Sequence, residues 1–158
     1  MNRLNYTTAV LSLLAIITLL GSLPGAASPA FADCVRTGST VTCTGTDTNG
    51  YSSNSNNLTV NVQPGATVRS NFGDALSLGG NGDTITNNGT VRGGDEAIQT
   101  NNNATLTNNG ALIGNGNGVE AVDGNTMVNN GTVTANGNGI VVDDNNAVTN
   151  NGTIDANR

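Results

Sequence analysis

The sequence predicts an all-β fold, a right-handed parallel β-helix with about 21 residues per coil. Three observations predict it. Asn-Asn-Gly recurs as Asn87-Asn88-Gly89, Asn108-Asn109-Gly110, Asn129-Asn130-Gly131 and Asn150-Asn151-Gly152, each copy 21 residues after the last. Apolar residues keep the same period: Ile85, Leu106, Met127 and Val148 form one column, and Val91, Leu112, Val133 and Ile154 a second. Large side chains are scarce, with aromatics at 3% and no Trp. A fixed period over several copies is the mark of stacked repeats. A wide globular core would need the large side chains that are missing.

Residues 1–32 read as a cleavable signal peptide. Arg3 supplies the positive start, Ala9 to Leu20 is an apolar run broken only by Ser12 and Thr18, and Ala30-Phe31-Ala32 fits the small-x-small cleavage pattern. The run is shorter than the roughly 20 apolar residues of a spanning helix. Residues 33–56 lack the repeat and read as an N-terminal cap, which solenoid ends require. Cys34 and Cys43 are the only cysteines. In an exported chain an even pair with no His nearby reads as a disulfide rather than a metal site.

Residues 57–158 read as the coils. Thr84-Ile85-Thr86 before the triplet has its counterparts in Thr105-Leu106-Thr107, Thr126-Met127-Val128 and Ala147-Val148-Thr149, and Thr90-Val91 after it in Ala111-Leu112, Thr132-Val133 and Thr153-Ile154. A third column runs Ile98, Val119 and Ile140, with Leu76 one residue out of step. A fourth, weaker column holds Thr100, Ala121 and Val142, with Leu78 as its start. Each repeat therefore carries three short segments of period-two character, as strands with one buried face require. The Gly and Asn between them read as corner residues that accept positive φ. A left-handed β-helix repeats in hexapeptides, and 21 is not a multiple of six, so the right-handed form is expected. Leu58 to Val68, with a Pro64-Gly65 corner, reads as an earlier coil in looser register. The paired asparagines read as structural amide ladders, with the inward member of each pair left open. The repeat runs directly up to Arg158, so the expectation is a truncated β-helix from a longer parent chain.

Composition narrows the chemistry. There is no His, the net charge is −6, and all eleven acids follow residue 32. The basic residues there are Arg36, Arg69, Arg92 and Arg158. So acidic a chain, with so few cations, is not expected to bind nucleic acid. Nothing pairs a nucleophile with a base of the usual kind, so no catalytic, cofactor-binding or metal-ligating set is expected. Asp74 with Asp95, and Asp123 with Asp144, lie one period apart and could meet on neighbouring coils. Such pairs suit calcium or carboxylate-catalysed glycan cleavage, but they read as solvated corner acids. Thr84, Thr86, Thr105, Thr107 and Thr126 form a Thr-x-Thr array of the kind ice-binding solenoids use. Val128 and Ala147 break it, and Thr is an ordinary strand residue.

An export signal, a start near Asp33-Cys34, a polar opening and Asn-Asn-Gly-Thr-Val/Ile repeats together resemble the N-terminal passenger of a bacterial autotransporter (type V secretion). The motif is repeat grammar, specific for architecture and weak for activity. The resemblance implies a non-catalytic, structural or adhesive role on the cell surface, and partners among glycans or proteins of a host or neighbouring cell. It also implies further coils and a C-terminal outer-membrane β-barrel in the parent chain. Without such a translocator the product would stay periplasmic or be secreted. The alternatives are a β-helical polysaccharide-acting enzyme and an ice-binding solenoid.

Overall fold

In a computed structural model of the chain, residues 33–158 are described, and every regular element among them is a β-strand. The signal-peptide reading of residues 1–32 lies outside the described residues. Strand β1 (Cys34–Thr37) precedes the coils. The strands that follow wind into coils: β2 (Thr40–Cys43), β3 (Thr46–Asp47) and β4 (Tyr51–Ser53); then β5 (Thr59–Val62), β6 (Thr67–Arg69) and β7 (Leu76–Leu78); then β8 (Thr84–Asn87), β9 (Thr90–Gly93) and β10 (Ile98–Thr100). The next coils are β11 (Thr105–Asn108), β12 (Ala111–Gly114) and β13 (Val119–Ala121); β14 (Thr126–Asn129), β15 (Thr132–Ala135) and β16 (Ile140–Val142); and finally β17 (Ala147–Asn150) and β18 (Thr153–Ala156). Equivalent strands pair in parallel and β1 adds to the first edge, giving three sheets of seven, six and five strands, here A, B and C. The fold is a parallel β-solenoid of about six coils.

Coil length settles as the chain proceeds, and each surplus residue can be placed. In sheet A, Thr59 pairs with Thr84, 25 residues on; in sheet B, Thr67 with Thr90, 23 on; in sheet C, Leu76 with Ile98, 22 on. From Thr84 the period is 21. The differences fall in three corners that are longer than their later counterparts: 63–66 around Pro64-Gly65, 70–75 around Phe72, and 79–83. Leu76 looks out of step in the sequence because the surplus residue of 79–83 lies between it and the regular repeats.

The stacked strands enclose one narrow hydrophobic interior. Val41, Val60, Ile85, Leu106 and Met127 fill one column, each 2% exposed or less. Val68, Val91, Leu112 and Val133 fill another, and Leu76, Ile98 and Val119 a third. Each buried Val, Leu or Ile contributes about 1.5–3 kcal/mol. Val148 and Ile154, expected in this core, are 43% and 38% exposed. They sit on β17 and β18, which pair on one side only, so no coil covers them.

The N-terminal cap is narrower than 33–56. Thr40 to Ser53 already form the first coil, paired in parallel with the second. Only β1 runs against the grain, antiparallel to β2, and it covers the lower edge of sheet A. Cys34 and Cys43 face each other across that pair, joined by a disulfide of 2.01 Å. Covering or shortening an edge strand blocks unwanted pairing, and β3 and β4 are short.

The first asparagine of each pair faces inward. Asn87 Nδ2 donates to Asn108 Oδ1 at 2.8 Å, Asn108 to Asn129 at 2.7 Å and Asn129 to Asn150 at 2.7 Å. The second amide hydrogen reaches the carbonyl of Ala111, Thr132 or Thr153. Asn87 and Asn108 Oδ1 also accept from the backbone N–H of Gly89 and Gly110, closing their own corners. The second asparagines form an exposed ladder that donates the opposite way: Asn109 to Asn88, Asn130 to Asn109 and Asn151 to Asn130, at 2.9–3.0 Å.

The glycines of these corners correct the sequence reading. Gly89, Gly110, Gly131 and Gly152 do not have positive φ. They are glycine for lack of room: a Cβ on Gly110 would overlap the carbonyl oxygen of Gly89 one coil below. From the third coil on, positive φ falls in the corner between sheets C and A, at Gly82, Asn103, Gly124 and Asn145, while in the first two coils Gly45 and Gly65 hold it between sheets A and B.

Asn108→Ala should lower unfolding stability by about 2–4 kcal/mol, because it removes one of the two acceptors of the buried Asn87 amide and the donor to Asn129 Oδ1. Asn109→Ala, in water, should cost under about 1 kcal/mol. Urea unfolding of the two variants checks the contrast, and equal losses would contradict the inward assignment. Gly110→Ala should cost at least about 2 kcal/mol in the same assay.

Candidate functional site

The corner between sheets B and C gathers the acids. The register that pairs Leu76 with Ile98 sets Asp74 beside Glu96, not Asp95. Glu96 is followed one period up by Asn117 and then Asn138, so a carboxylate-and-amide column climbs this corner. Asn117 Nδ2 donates to Glu96 Oε1 at 3.1 Å and to Glu120 Oε2 at 3.3 Å. Asn138 donates through both its backbone N–H and its side chain to Asn117 Oδ1. Asp74 Oδ1 accepts the backbone N–H of Glu96.

Asp74, Asp95 and Glu96 each bring an oxygen within 4.8 Å of the others. Asp95 and Glu96 edge a pocket of about 370 Å³ that Asn117, Asn138 and Arg158 also line. Glu96 is 9% exposed. Burial, a hydrogen bond to Asp74 and the charges of Asp95, Asp74 and Glu120 push its carboxyl up to about 7. At neutral pH it is therefore only part-ionised, and it can hold or release a proton beside two other carboxyls. Three carboxylates at this spacing could also offer one oxygen each to a hard cation, which favours such ligands.

Spacing alone missed Glu96. The visible signal is the slipped Leu76, which moves the partner of Asp74 from the twenty-first residue after it, Asp95, to the twenty-second, Glu96. The other expected pair serves a corner: Asp123 Oδ1 accepts the backbone N–H of Asp144 at 3.0 Å, and Asp123 N–H donates to Asn102. Asp83 is a second unforeseen group, 1% exposed before β8. Its Oδ1 accepts the N–H of Leu58 at 2.8 Å, and its Oδ2 has no partner. Burial pushes its carboxyl up, against the lowering effect of that hydrogen bond. Ala104 holds the equivalent place in the next coil, and Asn125 resumes the pattern by accepting the N–H of Ala104 at 2.7 Å.

The remaining sequence candidates are scattered. Thr84, Thr105 and Thr126 stack on the outer face of sheet A, with Ala147 next in the row; Thr86 and Thr107 share their row with Val128. Thr100 faces inward between Leu78 and Ala121, its hydroxyl without a partner. No protein-family model, characterised protein or solved structure matches the chain.

Both raised carboxyls bind protons more tightly in the folded state than in the unfolded one. Each therefore weakens the fold as pH rises, from the ordinary value toward the raised one. Glu96→Gln keeps an acceptor for Asn117 and removes the charge. It should be more stable than the parent by about 1–3 kcal/mol at pH 8, since one unit of pKa is worth about 1.4 kcal/mol, and should match the parent near pH 4. Thermal melts across that range test it; a gap that does not change with pH would contradict the buried, crowded carboxyl.

Proposed function

We propose that this chain is the exported, β-helical passenger segment of an autotransporter-like surface protein, non-catalytic, with a structural or adhesive role. The observation that carries the reading is the uniformity of the coils. From β8 onward each rung repeats the last, and the corners of the solenoid are only two to six residues long. Such corners leave flat strand faces and build no deep cleft between long loops. A rod of this kind presents side chains at fixed spacing, with Asn and Thr repeated up its outer faces. Its stability rises with the number of coils, because interior coils are covered on both faces. The partners would be glycans or proteins of a host or neighbouring cell, and attachment to the cell would come from an outer-membrane β-barrel in the parent chain.

One observation favours the enzymatic alternative. A carboxyl poised near neutrality beside two others, as at Glu96, Asp74 and Asp95, is what general acid catalysis of glycan cleavage needs. The pocket there is rimmed mainly by short Asn and Gly corners, with Arg158 the one cation.

Fusing the chain to an outer-membrane β-barrel in a Gram-negative host separates these readings. The expected outcome is surface display, seen as antibody labelling of intact cells, together with raised adherence to cultured cells or to one another. Release of reducing ends from polygalacturonate or other glycans by the purified chain, abolished in Glu96→Gln, would overturn the non-catalytic reading. Display with no gain in adherence would leave only the structural role.

A further inference from the structure

We propose that the outer face of sheet B carries a binding site for a carboxylate-bearing sugar, centred on Arg69, Arg92 and Phe72. The proposal rests on the adhesive reading above and deepens it by naming a ligand class. Arg69 and Arg92 are direct partners on neighbouring strands β6 and β9. Both are exposed and lie on the same face, opposite the buried Val68 and Val91. Their backbones are about 4.8 Å apart. Like charges set directly opposite each other across strands are destabilising. In a chain with five basic residues and eleven acids, relief by an acid would be easy to arrange. It is not arranged: neither guanidinium enters an ion pair or a side-chain hydrogen bond among the described residues. The other two arginines after residue 32 stand elsewhere. Arg36 donates to the Gly38 carbonyl and to Ser55 Oγ, and Arg158 lines the acidic corner.

A second irregularity follows in the next corner of the chain. Phe72 is 96% exposed, three residues past Arg69, in the corner that carries a surplus residue. The regular corners of later coils have no aromatic there. The backbone at Asn71 and Phe72 closes on Gly94, two residues past Arg92, so the ring stands in the corner that follows both arginines and adds nothing to the core. Arg and aromatic residues are the side chains most enriched where binding energy concentrates.

The chemistry of the patch selects the occupant. Two adjacent guanidinium forks can share one carboxylate, whose two oxygens accept about four hydrogen bonds. Thr67 and Thr90 stand next to the arginines on the same face, offering hydroxyls, and Phe72 offers an apolar surface for a sugar ring. Two cations neutralise a single acid group. A long polyanion would meet the acids elsewhere on the chain, so the fit is to one acidic sugar at the end of a glycan.

Titration of the full chain with sialyllactose, sulfated lactose and plain lactose, followed by NMR shifts or calorimetry, tests this. Sialyllactose should bind, with perturbed resonances at Arg69, Phe72 and Arg92, and Arg69→Gln with Arg92→Gln should weaken it at least about tenfold. Phe72→Ala should weaken it too. The double arginine variant should melt no lower than the parent, and slightly higher, because two like charges are gone; a fall in melting temperature would assign these arginines to the fold and overturn the proposal. Equal affinity for plain lactose, tighter binding of sulfated lactose, or unchanged affinity in the double variant would also overturn it. If the displayed chain still confers adherence while sialyllactose fails to bind, this site falls and the adhesive role stands.

Discussion

Everything in this molecule depends on each coil lying directly over the previous one, so that from Thr84 onward residue n meets residue n + 21. Parallel strands of three or four residues are weak by themselves, and no coil buries enough to stand alone. Registry makes them additive. It places Ile85 on Leu106 and Leu106 on Met127, and it hands each buried Asn amide to the next. The inner ladder enforces that registry, because a slip of one residue would leave Asn87, Asn108 and Asn129 buried with no partner, and an unmet buried polar group costs far more than a met one gains. The glycines enforce it sterically. With Gly110 packed against the Gly89 carbonyl, the corners approach more closely than any side chain would allow.

Where the period is strict, the fold is legible in the sequence, since only stacked coils bury every member of an evenly spaced aliphatic column at once. The first coil is harder to read. Thr40-Val41-Thr42 lies in register with Thr59-Val60-Asn61 and, beyond it, Thr84-Ile85-Thr86, but it carries no Asn-Asn-Gly. Its spacing of 19 residues to the next coil breaks the rhythm. The acid corner is hidden for the same reason: one extra residue in 79–83 moves Glu96 into the place that counting by 21 gives to Asp95. The glycines show a different limit. Sequence shows that a position must be glycine, but not whether dihedral freedom or close approach demands it. Here the answer differs from corner to corner, with Gly124 at positive φ and Gly110 in a crowded passage.

The irregularities of a repetitive scaffold are where its chemistry collects. The coils from β11 onward are built mainly of Asn, Thr, Gly and aliphatic residues, with acids such as Asp123 and Asp144 serving corners. The exposed aromatic, the stacked arginines and the part-protonated Glu96 lie on or beside the second and third coils, around the corners that carry surplus residues. The uniform coils supply rigidity and reach, and the departures supply side chains that uniform stacking would not place together.

The central claim is contact between residues one period apart, and methyl-resolved NMR of the purified chain measures it directly. Nuclear Overhauser contacts should link the side chains of Ile85, Leu106 and Met127 in succession, together with contacts between the side-chain amides of Asn108 and Asn129. Contacts confined to residues near in sequence, or a spectrum of helix or coil, would contradict the account.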